Sequence, residues 1–370
     1  MRFTLFSFPF LNTPDRQAVS SQERGQAPSL GVLSRRRALL AGLGCLAPLL
    51  PASAMARHPA PQSKAARSLH ILTFSGKIAG IQSKILFKPY EQLTHQTIIP
   101  HGWNGQISDL EHVIKQTHRP LAAAMMESSS LRIGCNLKLL SRHQTDSSLS
   151  NCGQPSAAID YAMAWDRARF DAAPNWPDFW DVARHPGRRS LRRDPRLTLE
   201  IALLADGVPA NALYSALATT EGVNRAFLKL EQLRPYIVWW STPEEAGHIL
   251  TSGGALMGCV PTGEILGISG PDRQRFGLHW QQRFLVQYGW GVLTAAARNP
   301  AALAFVSWLE QPAQQQAFAN AWPSLPSITE LNALAPRLSH IPPAIMVDDT
   351  FWEANLEKLS DRFQQWIHHV

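Results

Sequence analysis

The sequence predicts an α/β protein of two lobes, each a mainly parallel sheet flanked by helices, joined by two chain crossings that form a hinge. Three observations support this. Short apolar runs alternate with segments of helical periodicity along most of the chain, the order that builds parallel sheets covered by helices. A chain of 370 residues, 45% hydrophobic and 17% charged, is long enough for two separate cores. Two strand-like runs, Ala157 to Trp165 and Phe284 to Val292, read as the outward and return crossings. Lobe 1 is then 69–160 with 288–320, and lobe 2 is 161–287 with 321–370.

In chain order, Leu69 to Phe74 reads as a buried strand and Ser75-Gly76 as a turn. Gly80 to His95 is an amphipathic helix, with Ile81, Ile85, Leu86, Tyr90 and Leu93 at helical spacing and Pro89 late in the pattern. Thr97 to Pro100 is the second strand, Ser108 to Gln116 a helix, and Leu121 to Met126 the third strand. Past the first crossing, Trp176 to Asp181 sets aromatics around a turn, and Pro186-Gly187 makes a second turn. The basic run Arg188, Arg189, Arg192 and Arg193 reads as a solvated strand edge and loop, too small for a nucleic-acid footprint. Leu197 to Ala205 is a helix ended by Asp206-Gly207. A helix from Ser215 to Leu233, a strand at Ile237 to Ser241, a helix from Pro243 to Ser252 and a strand from Ala255 to Val260 follow. Trp239 and Trp240 alternate on their strand, so only one of them faces the cleft. After the return crossing, Pro300 to Ala321 is a long helix interrupted at Pro312. The last helix, Thr350 to Ile367, carries Phe351, Trp352, Leu356, Leu359, Phe363 and Trp366.

The N-terminus reads as an export signal. Ser34-Arg35-Arg36-Arg37 is a twin-arginine start, Ala38 to Leu50 is an apolar stretch too short to span a bilayer comfortably, and cleavage is expected after Ala54-Met55-Ala56. Residues 57–68 form a linker. The formal net charge is +7, but residues 57–370 hold 29 basic and 26 acidic residues. A surface that close to balance argues against a nucleic-acid partner. His95, His101, His112 and His118 are spread without tight ligand spacing, so no metal site is expected. There is no G-x-S-x-G, P-loop or dinucleotide fingerprint.

The words from Trp176 to Tyr214, including Trp-Pro-Asp-Phe-Trp-Asp, Pro186-Gly187-Arg188-Arg189 and Leu199-Glu200-Ile201-Ala202-Leu203-Leu204-Ala205-Asp206-Gly207-Val208, resemble the bacterial extracellular solute-binding proteins of the spermidine/putrescine type. Phe87-Lys88-Pro89-Tyr90-Glu91-Gln92-Leu93-Thr94-His95 stands where that family has F-K-P-F-E-x-x-T-G. Trp103-Asn104-Gly105 and Val223 to Leu230 also match. The resemblance spans roughly 69–367. It implies the type II periplasmic binding-protein fold, a small ligand in the inter-lobe cleft, and delivery to an ABC permease in the inner membrane by a monomeric periplasmic protein. It implies no enzyme activity and no cofactor. It also implies a disulfide between Cys135 and Cys152, in Arg132-Ile133-Gly134-Cys135 and Asn151-Cys152-Gly153. Cys259 is left over and reads as a small buried residue.

The pocket words depart from the family. Phe74-Ser75-Gly76, followed by Lys77, replaces W-G-G; Ala122 to Glu127 replaces D-V-V-D-V-E and keeps one acid. Ala158-Ile159-Asp160-Tyr161 replaces V-W-S-T, Pro261-Thr262-Gly263-Glu264 replaces (W/Y)-N-G-R, and Tyr288-Gly289-Trp290 replaces D-S-W. The resemblance thus nominates Phe74, Ser75, Gly76, Trp103, Glu127, Asp160, Trp240, Thr262, Glu264, Tyr288 and Trp290 as the ligand shell. Glu127, Asp160 and Glu264 suit an ammonium group, and Lys77 suits a carboxylate. Asp160 reads equally as a charge paired near the hinge, Glu264 as a solvated turn residue, and Trp290 as core. The ligand expected is a polyamine or a related nitrogen compound. The rival readings are an enzyme using Cys259 or Glu264 in the cleft, and a divergent sensor without transport.

Overall fold

The computed structural model describes residues 68–117, 119–142, 152–322 and 343–368. The export signal and nearly all of the linker lie outside these residues; Ser68 already belongs to the first strand. In order, the chain forms β1 (Ser68–Thr73), α1 (Gly76–Gln82), a π turn (Ser83–Phe87), α2 (Lys88–Thr94), β2 (Thr97–Gly102), α3 (Ile107–Gln116), β3 (Leu121–Glu127) and α4 (Ser128–Asn136). Next come β4 (Pro155–Asp166), α5 (Trp176–Trp180), β5 (Arg189–Arg192), α6 (Pro195–Ala205), α7 (Leu213–Leu217), α8 (Thr220–Leu233), β6 (Ile237–Trp240), α9 (Pro243–Thr251) and β7 (Met257–Pro261). The chain then makes α10 (Thr262–Leu266), β8 (Phe276–Val292), α11 (Pro300–Leu309), α12 (Pro312–Ala321), β9 (Ile345–Met346) and α13 (Asp349–His368).

One sheet runs β2-β1-β3-β8-β4-β7-β5-β6, with β9 on β8. Its two ends are parallel: β1 pairs β2 and β3, and β5 pairs β6 and β7. The antiparallel ladders are those of the crossings, β4 with β8 and each with its outer neighbour. β8 begins eight residues before the expected Phe284, because His279, Gln281, Gln282 and Arg283 break the apolar pattern although the backbone stays extended beside β4.

Local chemistry explains most boundaries. Proline has no amide hydrogen and its ring crowds the carbonyl four residues back. The helix ahead of Pro89 widens accordingly, with Lys88 N–H donating to Ser83 O five residues earlier. The single helix expected from Ser215 splits at Thr219, whose hydroxyl accepts from Gly222 N–H at 3.0 Å and caps α8. Trp176 to Asp181 is a short helix with a reciprocal cap between Asn175 and Asp178, more ordered than the turn expected. Sequence analysis missed α4, because its three leading serines read as loop.

The basic run around Arg189 needs correction. β5 is an interior strand between β6 and β7, and Arg189 and Arg192 are both buried. The Arg189 guanidinium donates to the carbonyls of Phe179, Gly187 and His185 at 2.6–2.7 Å, so its donors are spent inside the protein. Burial lowers its pKa to about 10.

Two cores form. The larger runs along both ends of the sheet; the smaller surrounds Leu72, Leu110, Leu131 and Leu293 and includes Cys135 and Cys152. Those cysteines are bonded, with Cα atoms 5.6 Å apart.

His95 takes a left-handed conformation (φ 58°) as the cap of α2 and is exposed. A side chain there is disfavoured by its own Cβ, whereas glycine is not. His95→Gly should therefore raise the unfolding free energy by about 1 kcal/mol, read from urea or thermal melts.

Candidate functional site

In open α/β sheets ligands bind beyond the C-terminal ends of parallel strands. Here those ends from both halves of the sheet face one seam. Phe74 follows β1 and Glu127 ends β3; Arg192, Trp240 and Pro261 end β5, β6 and β7. Register places Arg192 beside Trp240 and Pro261 beside Tyr161.

A four-charge cluster lies in the seam. Glu127 Oε2 is 2.9 Å from Arg196 Nη1, and Glu127 Oε1 is 2.5 Å from Arg192 Nη1, an ion contact without hydrogen-bond alignment. Asp194 receives Arg196 Nη2 at 2.6 Å and Arg196 Nε at 2.9 Å, and stands 3.6 Å from Arg192 Nη2. Arg196 Nη1 also donates to Ser130 Oγ at 2.9 Å. All four charged residues are at most 4% exposed. Burial alone would push Arg192, Asp194 and Arg196 toward their neutral forms, but pairing wins. Arg196 and Arg192 hold Asp194 down at about 2, and Glu127 and Asp194 keep the Arg192 guanidinium well above its ordinary range.

The backbone is bent to make this possible. Asp194 caps the turn by accepting from Arg196 N–H, Pro195 follows, and Leu197 has φ +67°. A bulky residue there costs of order 1–3 kcal/mol and persists only where its surroundings fix it; the fully buried Leu197 side chain and the Arg196 ion pairs do so.

An aromatic wall adjoins the charges. Phe74 meets Tyr288 edge-on at 5.5 Å; the Tyr288 and Tyr161 hydroxyls share a 2.7 Å hydrogen bond; Tyr161 stacks on Trp240 at 6.1 Å and 6°. At the rim, Lys77 Nζ donates to Glu264 O at 2.5 Å and lies 3.4 Å from Glu264 Oε2. Burial raises the Glu264 pKa against the pull of Lys77. Gly76, at φ +69°, lies against Glu244, where a Cβ would come within 2.9 Å of Cδ. Gln106 Nε2 reaches Arg193 O at 3.4 Å. Several buried polar atoms here have no hydrogen-bond partner among the described residues: Arg192 Nε, Trp240 Nε1, Thr262 Oγ1, Ser128 Oγ and Ser129 Oγ.

Of the residues nominated from sequence, the seam gathers Phe74, Glu127, Trp240 and Tyr288. Gly76 and Glu264 stand at its rim, Ser75 directly precedes Gly76, and Thr262 opens α10 beside Glu264. Three lie elsewhere. Trp103 joins the smaller core and donates to Met125 O at 3.1 Å. Asp160 pairs with Arg283 at 2.9 Å. Trp290 packs edge-on against Phe87 and Phe305. Trp239 packs against Phe363 and Trp366 of α13, leaving Trp240 to the seam. Sequence reasoning missed Arg192, Asp194, Arg196 and Tyr161. A signal existed: four charges within five residues, Arg192, Arg193, Asp194 and Arg196, abut a helix, Leu197 to Ala205, whose only polar residues are Thr198 and Glu200.

Residues 90–342 match the model of the bacterial extracellular solute-binding protein family. The chain belongs to that family. It is 30% identical over 320 residues to the gamma-aminobutyric acid-binding protein of Pseudomonas aeruginosa, covering 81% of this chain and 91% of that one. Among solved structures it resembles the PBP MotA of A. tumefaciens B6 in complex with glucopine (TM-score 0.70, 19% identity, 81% of this chain and 99% of that one). It also resembles the PBP AgtB of A. tumefaciens R10 in complex with agropinic acid (TM-score 0.68, 18% identity, 81% and 98%). The fold is that of the type II periplasmic binding proteins. The protein is thus an extracellular solute-binding protein of the bacterial type, built to hold a small solute.

Cys259 fits that role as a core residue. It is fully buried, and burial pushes its thiol up to about 12 despite the nearby Arg192. A thiol reagent at pH 8 should label the oxidised, folded protein far more slowly than the denatured one. Fast single-site labelling of the native protein would reopen a nucleophilic role.

Glu200, behind the cluster on α6, has its pKa raised by burial to about 7 although Trp352 Nε1 (2.8 Å) and Tyr214 OH (3.1 Å) donate to it. Between the ordinary carboxyl range and pH 7 the folded state binds a proton that the unfolded chain has shed, so this residue's contribution to stability falls as pH rises. The full effect is roughly 3 kcal/mol. Glu200→Gln should flatten the pH dependence of the unfolding free energy across that window.

Proposed function

We propose that the imported solute is a small amino carboxylate, a zwitterion carrying one carboxylate and one ammonium group, rather than a polyamine. The observation that carries this reading is the charge balance of the seam. Arg192 and Arg196 face Glu127 and Asp194, and Lys77 faces Glu264. Unpaired buried charge is costly, so a ligand that enters must leave the sum near zero. A zwitterion does so. A diamine would bring two positive charges to a site whose carboxylates already hold cations.

The donors point the same way. Two guanidinium groups suit a carboxylate, and Trp240 Nε1, Thr262 Oγ1 and Arg192 Nε are unspent. The wall of Phe74, Tyr288, Tyr161 and Trp240 suits a short aliphatic chain and an ammonium group. The Pseudomonas relative is named for γ-aminobutyric acid, a molecule of this class.

In this reading residues 1–56 direct export by the twin-arginine route, and the protein works as a monomer. The two lobes, bounded as the sequence suggests, close about β4 and β8, so that one ligand touches both and water is excluded.

Isothermal titration calorimetry of the oxidised protein tests the ligand class. γ-Aminobutyrate should bind and putrescine should not. Arg192→Gln should weaken γ-aminobutyrate by about 2 kcal/mol or more, roughly thirtyfold. Binding of putrescine with no response to γ-aminobutyrate would return the assignment to the polyamines.

A further inference from the structure

We propose that the half of the sheet built from β5 to β7 carries a second binding site, for the phosphate group of a small ester or a lipid headgroup, at its pole away from the seam. A cavity of about 410 Å³ lies there. Arg169, Arg188 and Arg275 line it, and Asp166 is the one acid among its lining residues. The inference is independent of the class of solute held in the seam.

Three loops meet at this pole. Arg169 closes the turn Arg167–Arg169 that follows β4, Arg188 immediately precedes β5, and Arg275 immediately precedes β8. Backbone bonds tie the loops together: Arg167 N–H donates to Arg275 O at 2.9 Å, and Leu256 N–H, just ahead of β7, donates to Arg188 O at 2.8 Å. These are the N-terminal ends of β5 and β7, which pair from Arg189 and Met257 onward. The seam lies at the opposite, C-terminal ends. Arg188 stands about 13 Å from Arg192 along extended backbone, so the two sites do not share side chains.

The arginines differ in what they already hold. Arg275 Nε donates to Asp166 Oδ2 at 2.9 Å, and its Nη1 donates to Thr251 O at 3.4 Å. Asp272, an exposed acid, stands 3.9 Å from the same Nη1. Asp166 Oδ1 accepts from Ala168 N–H at 3.1 Å, which fixes the turn carrying Arg169. Asp166 therefore positions two of the arginines while its own charge is matched by Arg275. Arg169 and Arg188 are exposed and have no ion pair or side-chain hydrogen bond among the described residues. Within the basic run, Arg189 and Arg192 are buried, whereas Arg188 keeps its donors for solution. Two guanidinium groups are left over in one concavity. A phosphate dianion matches them in charge, and its oxygens suit the planar fork of donors each one presents. Leu250 and Leu256 also line the cavity, and its volume exceeds that of bare phosphate. An ester, whose carbon body can cover those leucines, fits it better than the free ion.

Calorimetry of the mature, oxidised protein at constant ionic strength tests this, with glycerol 3-phosphate and inorganic phosphate as probes. Glycerol 3-phosphate should bind saturably, once per protein, and more tightly than inorganic phosphate. Arg188→Gln should weaken it about tenfold, and the double variant Arg169→Gln, Arg188→Gln should lose it. Both residues are exposed, so the variants should melt like wild type and titrate with γ-aminobutyrate as wild type does. Sedimentation with vesicles of phosphatidylglycerol or of phosphatidylcholine separates the two sources of the phosphate. Retention on phosphatidylglycerol alone, lost in the double variant and without binding of the soluble ester, assigns the group to a lipid headgroup. Heats that do not saturate together with equal retention on both vesicles would overturn the site. So would binding, to ester or vesicle, that the double variant leaves unchanged.

Discussion

Four ionised groups packed in a dry seam can exist only if each one's loss of water is offset by its neighbours. Glu127, Arg192, Asp194 and Arg196 meet that demand as a set, and the surrounding chain is shaped to deliver them. β3 must end at Glu127, β5 must end at Arg192, and the turn after β5 must bring Arg196 back beside both. Asp194 caps that turn, and Leu197 accepts a left-handed backbone to complete it. Removing any one member would leave a buried charge without its counterpart, which costs more than losing a single contact.

α13 extends the constraint to both halves of the sheet. Asp349, its first residue, accepts from Ser129 N–H at the start of α4, and Arg132 reaches Glu353 at 3.3 Å. One turn from Asp349, Trp352 donates to Glu200 on α6, and Trp366 packs on Trp239 of β6. One helix is therefore pinned to α4 on one side of the seam and to α6 and β6 on the other. Any hinge motion about β4 and β8 must carry α13 with one half and loosen it from the other. Its contact with α4 is polar, from Asp349 to the backbone of the buried Ser129 and from Glu353 to Arg132, whereas Trp352, Leu356, Leu359 and Phe363 are buried in the larger core.

What could be read from sequence divides along the same physical line. Periodicity and caps located most strands and the longer helices, because apolar spacing and Pro, Gly, Ser, Thr and Asp punctuation are local properties, while the short α4, α5, α10 and β9 escaped them. The Trp176–Tyr214 segment was legible as a frame for a related reason: Arg189 must satisfy three carbonyls and Glu200 two donors, so the words cannot vary freely. The seam was half legible. The resemblance nominates Glu127 and Tyr288, which the seam gathers, whereas Arg192 reads as solvated and Asp194 and Arg196 go unremarked, since a charge looks the same in sequence whether water or a carboxylate surrounds it. Only the interior position of β5 settles that, and it depends on pairing with β7, some 65 residues downstream. Trp290 shares a face of β8 with Tyr288 but stands two residues further along, against Phe87 and Phe305; Asp160, next to Tyr161 on β4, points to the other face and pairs with Arg283. One residue of register moves a side chain across the sheet.

The same balance explains how a frame this constrained can serve different solutes. The frame residues are fixed by hydrogen-bond accounting within one half of the fold. The seam residues answer only to their sum: an acid or base can change provided another group, on the protein or on the ligand, changes with it. At the third strand two acids of the polyamine pattern are replaced by apolar residues, and the remaining acid, Glu127, is committed to arginines. A cleft so arranged has lost its surplus of negative charge. On the amino-carboxylate reading, selectivity against a polycation then needs no steric block, because entering the seam would leave positive charge buried and unpaired.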